Sequence, residues 1–449
     1  MLMKTPICDF VKKYADSDNL RLHMPGHKGV PFLGVEKRDI TEVDGADVLY
    51  SGDGIISESE RNAAGLFGSA KTLYSAEGSS LCIRAMVYLV TVAAKKQGRK
   101  PVILAARNAH KTFISAAAMA DADVEWLYSC ESDGLLSCRI SPEQLETRLG
   151  EMSELPVAVY ITSPDYLGVI SDISAISEVC KKFGVLLLVD NAHGAYLKFL
   201  PESKHPLDLG ADLCCDSAHK TLPVLTGGAY LHISQNAPER FADMASQAMA
   251  LFASTSPSYL ILQSLDMANQ YLAGDYRQSL TNTAKRISAL KASLAENGFC
   301  LIGDEEMKLC IETKKHGYFG HEVSEYLKKK NIVCEFEDRD HVVMMFTPAI
   351  SDDDIDYIEE ALLSLPERSE IDEKAPAVGR AERVMTARAA IMSPSTETDV
   401  HNAVGKVLAS PGVSCPPAIP IVVCGERIDE NAVKLFKYYG IEKCRVVDD

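Results

Sequence analysis

Two residues, Asp190 and Lys220, have types and positions that together suggest cofactor chemistry. Asp190 ends the run Val-Leu-Leu-Leu-Val-Asp (185–190), whose apolar, β-prone side chains predict a strand buried on both faces of a parallel sheet. Lys220 ends the sequence Asp-Ser-Ala-His-Lys (216–220) after a second short strand, and hydroxyl-bearing residues flank it. An ionised carboxylate at the end of a buried strand needs a cationic partner.

Pyridoxal phosphate would give both residues a role. Its pyridine nitrogen is held protonated by a carboxylate, and its aldehyde forms a Schiff base with a lysine. Taken alone, the pair has ordinary alternatives: an aspartate that caps a loop or joins an ion pair, and a Ser-x-His-Lys sequence without a catalytic role. The other motifs of the chain help to decide between a cofactor site and these alternatives.

Candidate phosphate ligands occur in three places. Gly78, Ser79 and Ser80 precede a predicted helix, and the N–H groups and dipole at a helix N-terminus favour a phosphate dianion. The alternative is a plain serine N-cap. Ser217 is a second plausible donor, and the hydroxyl cluster at 254–258 is a third.

Two histidines follow predicted strands. His110 comes after the strand 101–105 and could stack flat on a pyridine ring, although a surface histidine is the ordinary alternative. His193 lies three residues after Asp190 and could touch the substrate or transfer a proton. Ala192, between them, is small enough to lie beneath a ring.

Composition narrows the class of protein. The 449 residues predict two or three domains, and the 47% hydrophobic and 24% charged content is typical of a soluble globular protein. We find no apolar run long enough to span a bilayer, and no secretory signal at the N-terminus. Thirteen cysteines without paired metal-ligand spacing predict reduced thiols in a cytosolic protein and no metal site. The net charge of −17 argues against nucleic acid as a partner.

Strands and helices alternate in the first two thirds of the chain, after a predicted amphipathic helix at 4–16 and a loop at 20–29. The predicted helices are 58–67, 81–96, 112–120 and 173–183, and the predicted strands are 101–105, 157–162, 185–190, 212–215 and 228–233. This alternation predicts a mostly parallel sheet, and ligands of such sheets bind at the carboxyl ends of the strands.

The rest of the chain has a different character. A long helical stretch at 258–299 is followed by an α+β region, a charged linker and a tail. Its predicted strands are 307–312, 332–337 and 341–346, its linker is 366–383, and its tail has a helix at 396–408 and a strand at 421–423.

Five motifs together resemble the bacterial ornithine/lysine/arginine decarboxylase family. They are Met24-Pro25-Gly26-His27-Lys28, Gly78-Ser79-Ser80, His110-Lys111, Asp190-x-Ala192-His193-Gly194 and Ser217-x-His219-Lys220. Each is weak alone, but they occur in the family's order. The resemblance runs from about residue 20 to about residue 430, and it includes Pro416-Pro417-Ala418-Ile419-Pro420 and Gly425-Glu426.

The resemblance implies a role for each matched residue. Lys220 forms the Schiff base, Asp190 pairs with the pyridinium nitrogen, His110 stacks on the ring and His193 lies near the reacting centre. The phosphate is surrounded by Ser79, Ser80, Ser217 and His219, and Thr255 and Ser256 reach the phosphate of a neighbouring subunit. The family often has Glu where this chain has Asn191, and the chain resembles the family's short form.

The expected fold is therefore the aspartate-aminotransferase fold, fold type I of the pyridoxal-phosphate enzymes. Its large domain carries the mostly parallel sheet, and smaller α+β regions follow. We expect an N-terminal arm at 1–56, a cofactor-binding domain at 57–285, a small domain at 286–366 and a C-terminal region at 367–449.

The expected activity is α-decarboxylation of arginine, lysine or ornithine to a di- or polyamine, in a cytoplasmic homodimer. The alternatives are an aminotransferase or lyase, and a catalytically silent cofactor-binding protein. Four acidic residues are unranked candidates for the substrate's side-chain pocket: Asp44, Asp47, Asp53 and Glu426.

Overall fold

The structure, a computed structural model, describes residues 3–129, 134–411, 414–415 and 418–448. Pro416 and Pro417, which belong to the last of the sequence motifs, lie outside the described residues. Within the described part of the chain, no helix is both long and apolar enough to cross a membrane.

Helices and strands alternate through most of the chain. The helices are α1 (Pro6–Ala15), α2 (Ile55–Phe67), α3 (Ser79–Lys96), α4 (Lys111–Ala120), α5 (Pro142–Glu151), α6 (Ile173–Phe183), α7 (Ala218–Thr221), α8 (Arg240–Phe252), α9 (Tyr259–Ala273), α10 (Tyr276–Glu296), α11 (Gly320–Lys328), α12 (Asp352–Leu363), α13 (Ala387–Met392) and α14 (Glu430–Tyr438). The strands are β1 (Lys71–Ser75), β2 (Val102–Ala106), β3 (Asp123–Leu127), β4 (Ala158–Thr162), β5 (Leu186–Asp190), β6 (Leu213–Asp216), β7 (Ala229–Ile233), β8 (Leu301–Ile302), β9 (Lys308–Glu312), β10 (Phe336–Glu337), β11 (His341–Met345), β12 (Ser395–Asp399), β13 (Ser414–Cys415), β14 (Ile419–Pro420) and β15 (Lys443–Val447).

The largest sheet has seven strands in the order β1-β7-β6-β5-β4-β2-β3. β2 runs parallel to β3 and β4, and β5 runs parallel to β6, whereas β7 is antiparallel to both β6 and β1. The sheet is therefore mostly parallel, which confirms the predicted α/β class. The apolar run that ends in Asp190 forms β5, and four of its five residues are buried, as expected for a strand covered on both faces.

The chain divides into two compact units, residues 1–93 with 186–279 and residues 94–185 with 280–449. This division rests on compactness, so the domain boundaries expected at residues 56, 285 and 366 stay predictions. The first unit contains β1, β5, β6 and β7, together with α1 and α2.

The second unit contains the smaller sheet predicted after residue 300. Its four antiparallel strands have the order β10-β11-β9-β8. Cys310 and Val343 from this sheet belong to one core cluster with Ile421, Phe436 and Val446 from the C-terminal region. Burial of apolar side chains therefore joins the C-terminal region to the small sheet.

Two predictions for the tail are wrong. Residues 395–399 form β12, which pairs antiparallel with β15, and a short 3₁₀ turn, Val400–Asn402, follows. No helix covers 396–408, because Thr396 and Thr398 are β-branched and favour a strand. Residues 421–423 form no strand, and the pairing lies just before them, between β13 and β14.

Candidate active site

Lys220 and His193 meet in the first unit. Lys220 lies in the short helix α7 directly after β6, and His193 lies in the turn after β5. The Nζ atom of Lys220 is 3.0 Å from Nε2 of His193. His193 is buried, with 5% of its surface exposed. A lysine and an imidazole at this distance can share a proton.

Asp190 is the last residue of β5 and belongs to the same unit as Lys220 and His193. It is buried, and its Oδ1 accepts hydrogen bonds from the Ala192 N–H at 3.2 Å and from the Cys215 thiol at 3.6 Å. Because Asp190 pairs with Cys215 across the parallel strands β5 and β6, its carboxylate lies at the same sheet edge as the turn that leads to Lys220.

The N-terminus of α3 carries the predicted phosphate-binding serines. Gly78 adopts φ 71°, a conformation that favours glycine, and its N–H donates to the Gly227 carbonyl at 2.7 Å. The Ser217 hydroxyl donates to the Ser79 hydroxyl at 2.8 Å. The structure thus brings together Ser79 and Ser217, which are 138 residues apart in the chain. Ser80 follows as the second residue of the helix.

His219, the residue before Lys220, is held by the main chain of Gly228. Its backbone N–H donates to the Gly228 carbonyl at 3.1 Å, and its Nδ1 lies 2.9 Å from the same oxygen. The carbonyl oxygen can only accept, so Nδ1 carries a proton. The predicted contact of His219 with a phosphate stays a prediction.

The hydroxyl cluster at 254–258 is exposed at Thr255 and Ser256. Its start is fixed by Glu77, whose carboxylate accepts from the Ser254 N–H at 2.6 Å. Ser256 also lines a groove of about 660 Å³ with residues 22–26, Lys28 and 39–41. Two separate sequence motifs, the Met24–Lys28 loop and the hydroxyl cluster, therefore border one groove of the first unit.

His110 lies in the second unit, where it caps α4. Its Nδ1 accepts from the Thr112 N–H at 3.1 Å, which orients the ring. The next residue, Lys111, donates its backbone N–H to the Ala418 carbonyl at 2.9 Å. The turn that carries His110 is thus attached to the C-terminal motif, and the predicted stacking role of His110 stays a prediction.

Arg107, which directly follows β2, also binds the C-terminal motif. Its guanidinium donates to the carbonyls of Pro420 at 2.7 Å and Ile421 at 2.9 Å. It also lies 3.9 Å from the Glu426 carboxylate and over the Trp126 ring, 5.4 Å from its centroid. A planar donor fork suits this set of acceptors better than an ammonium group would.

Comparison with known proteins then decides the family. The family described as "Orn/Lys/Arg decarboxylase, major domain" matches residues 5–302. The chain belongs to this family.

Relatives of the decarboxylase extend the match over nearly the whole chain. An arginine decarboxylase of Bacillus subtilis is 29% identical over 468 residues, which cover 97% of this chain and 93% of the relative. An arginine decarboxylase of Halalkalibacterium halodurans is 27% identical over 95% of this chain and 92% of its own length. The predicted family and enzyme class, an amino-acid decarboxylase, are thereby confirmed.

Solved structures confirm the predicted fold. The lysine decarboxylase LdcF of Francisella novicida superposes with a TM-score of 0.79 at 16% identity, over 99% of this chain and 81% of that chain. A NifS-like protein matches 69% of this chain with a TM-score of 0.55. The decarboxylase therefore has the fold-type-I architecture.

Two of the acidic candidates for a substrate pocket, Asp47 and Glu426, bind backbone N–H groups in the decarboxylase, and a third, the exposed Asp53, pairs with Arg61 at 3.0 Å. The Asp47 carboxylate accepts from the N–H groups of Gly54, Ile56 and Ser57 at 2.9–3.1 Å, so it caps α2. The Glu426 carboxylate accepts from the Val423 N–H at 2.8 Å, and burial raises its pKa. The sequence shows the charges of these residues but not the backbone groups that bind them.

A buried polar cluster beneath the candidate site was missed by the sequence analysis. His205 and His232 both contact Asp216, and all three are fully buried. The signal was available for His232, which lies inside the apolar run of β7, Ala-Tyr-Leu-His-Ile. A histidine at the centre of a buried strand needs a polar partner.

Proposed function

We propose that this decarboxylase uses pyridoxal phosphate to remove the α-carboxylate of a basic amino acid, with arginine the favoured substrate. The observation that carries the proposal is the 3.0 Å approach of Lys220 to His193, beside the buried carboxylate of Asp190. Arginine is favoured because arginine decarboxylases of Bacillus subtilis and Halalkalibacterium halodurans match nearly all of the chain.

The residues of the first unit fit this cofactor. The helix N-terminus with Ser79, Ser80 and the Ser79-bonded hydroxyl of Ser217 offers donors for a phosphate. The buried carboxylate of Asp190 would pair with a protonated ring nitrogen. Pyridoxal phosphate, when bound, supplies a protonated ring that accepts the electron pair left when CO₂ departs.

The chain's own side chains then have separate tasks. Lys220 would hold the cofactor covalently through its Nζ atom. Asp190, a carboxylate in a buried, low-dielectric position, would stabilise positive charge on the cofactor. After decarboxylation, the substrate Cα must gain a proton, and Nε2 of His193 or Nζ of Lys220 donates it. For His110 we retain the stacking role that the family resemblance implies.

We further propose a cytoplasmic homodimer. Leu20, Leu22, Phe32 and Leu33 are between 78% and 87% exposed, although all four are large and apolar. Contiguous exposed apolar side chains mark interaction surfaces, and the exposed Thr255 and Ser256 suit a role toward a neighbouring subunit. Light scattering tests the dimer: Leu22→Asp together with Leu33→Asp should yield monomers, whereas an unchanged mass would contradict this surface.

The cofactor is tested on the purified protein loaded with pyridoxal phosphate. Borohydride reduction followed by peptide mapping should place the cofactor on Lys220. The Lys220→Ala variant should lose the label, whereas Lys198→Ala, in which the lost lysine is paired with Asp208 at 2.5 Å, should keep it. Label elsewhere, or no label, would contradict the assignment.

The reaction is tested on the same preparation with arginine, lysine and ornithine. Release of CO₂ with the matching amine supports the proposal, and arginine should give the highest kcat/KM. Formation of a keto acid would instead identify an aminotransferase. Absence of turnover on all three substrates, with the cofactor attached, would indicate a silent cofactor-binding protein.

A further inference from the structure

Asp216 is the centre of a buried hydrogen-bond network in the first unit. Its Oδ2 lies 3.0 Å from Nε2 of His205 and 3.2 Å from Nε2 of His232. The Leu207 N–H donates to Nδ1 of His205 at 3.4 Å, so the proton of that ring is on Nε2 and points at the carboxylate. Nδ1 of His232 lies 2.8 Å from the Thr72 hydroxyl.

The network holds one carboxylate charge. Burial alone would raise the pKa of Asp216, but His205 and His232 reverse this effect and hold the pKa well below its usual range. Burial lowers the pKa of His232, against the opposing effect of Asp216. Asp216 is therefore ionised at neutral pH. Because it is buried, its carboxylate oxygens need hydrogen-bond donors.

Asn191 supplies a neutral donor from the turn that carries the candidate catalytic residues. It is fully buried, and its Nδ2 donates to Oδ1 of Asp216 at 2.7 Å. Its backbone N–H donates to the Cys215 carbonyl at 3.0 Å, and its own carbonyl accepts from the Gly194 N–H at 2.8 Å. Three hydrogen bonds therefore fix one residue that lies between Asp190 and His193.

We infer that Asn191 is a positioning residue, whose amide must pair with the carboxylate of Asp216 to hold Asp190 and His193 in place. The pair needs one acid and one amide, because two carboxylates 2.7 Å apart repel each other in a buried site. The inference deepens the proposed function and rests on it for the roles of Asp190 and His193. The pairing itself is independent of that function.

The decisive substitution is Asn191→Asp, which keeps the shape of the side chain and adds a charge. Several titratable groups surround this position: Asp190 and His193 on the same turn, Cys214, Cys215 and Asp216 on β6, Lys220 on α7, and His205 and His232 at Asp216. The nearest is the Asp216 carboxylate, so the introduced carboxyl should titrate at a raised pKa. When protonated it can donate to Asp216 as the amide does.

The first readout uses the protein without cofactor, so it does not depend on activity. The folded form of Asn191→Asp binds the added proton more tightly than the unfolded form does, so its stability should fall relative to wild type as the pH rises. The uncharged control is Asn191→Ala, which removes the amide and adds no titratable group. Its melting temperature should differ from that of wild type by a constant amount across the pH range.

The second readout is kinetic. Asn191→Asp should lower kcat by about 10- to 100-fold at high pH and recover as the pH falls, with a smaller effect on KM. Asn191→Ala should lower kcat at every pH, without the added dependence on pH. If Asn191 had only a structural role, the kcat of Asn191→Asp would not show this additional loss at high pH.

The outcomes separate the two claims. Parallel melting curves for Asn191→Asp and wild type across the pH range would overturn the acid–amide pair. Melting curves that diverge as expected, with a pH profile of kcat parallel to that of wild type, would overturn the positioning role. Wild-type protein that releases no CO₂ would overturn the proposed function, while the melting curves would still test the pair.

Discussion

A methyl group on Gly194 would lie 2.0 Å from Oδ1 of Asn191 and 2.8 Å from Cδ1 of Leu197. The backbone of Gly194 has φ −117°, which any residue can adopt. The glycine is therefore required by space and not by conformation, and the space is occupied by the side chain that bonds Asp216.

We expect Gly194→Ala to destabilise the protein by about 1–3 kcal/mol, because the added methyl displaces Asn191. Denaturant unfolding checks this value. Gly150→Ala is the matched control: Gly150 lies in α5, a methyl there meets no described atom within 4 Å, and the exchange should stabilise by roughly 0.5–1 kcal/mol. Equal effects at the two positions would contradict the crowding at Gly194.

His193→Ala should lower kcat by about 10²- to 10⁴-fold, because the variant loses an imidazole that lies 3.0 Å from Nζ of Lys220. Borohydride mapping should still find the cofactor on Lys220. Single-turnover CO₂ release measures the loss. If kcat stays at its wild-type value, His193 transfers no proton in the slow step.

Asp190→Asn should lower kcat by about 10²- to 10³-fold, since the neutral amide no longer balances positive charge on the cofactor ring. The control is Asp208→Asn, which changes a partly exposed aspartate that pairs with Lys198. Steady-state kinetics should show a near-normal kcat for the control. Similar losses in both variants would point to general destabilisation instead.

Ser217→Ala should weaken the affinity for pyridoxal phosphate by roughly tenfold or more, because a hydroxyl beside the Ser79 hydroxyl is lost from the predicted phosphate site. Titration of the apoprotein with the cofactor measures this affinity. Ser141→Ala removes another serine at a helix start, where the hydroxyl accepts from the Gln144 N–H. That variant should unfold more easily yet bind the cofactor normally, and weakened binding by it would argue against a specific site.

Stability should depend on pH through Asp165. Burial raises the pKa of this carboxyl to about 6, and hydrogen bonds from Ser137 and from the backbone N–H groups of Val169 and Leu167 only partly offset the rise. The pKa of Asp165 is higher in the folded protein than in the unfolded one. Its protonated form therefore contributes about 3 kcal/mol to the free energy of unfolding below about pH 4, and this contribution is lost as the pH rises through about 6. The unfolding free energy of Asp165→Asn should vary less over this range, and an equal slope in both proteins would refute the assignment.

The sequence predicted the parts of the fold that local patterns determine. β5 and the middle of α3 are mostly apolar, so their burial could be predicted from their own residues, and Asp190 and Lys220 could be placed at strand ends. The long-range pairs could not be predicted in this way. β12 is a Ser-Thr-Glu-Thr-Asp segment without an apolar pattern, and it is a strand because it pairs with β15.

The candidate site shows the same limit. Lys220, His193 and Asp190 were predicted because their types suggest chemistry. Asn191 attracted attention only as a departure from the family, and its bond to Asp216 depends on a strand pairing that spans 25 residues. Arg107 was missed because its partners are carbonyl oxygens, which the sequence does not distinguish from any others.

The attachment of the His110 turn to the C-terminal segment has a consequence for synthesis. Arg107 donates to the carbonyl of Pro420, a residue 313 positions later in the chain, and Lys111 donates to Ala418. A ribosome makes the chain from its N-terminus, and long-range contacts form late. The turn around His110 therefore stays incomplete until the segment at 418–421 has emerged, so this turn can reach its final structure only late in synthesis.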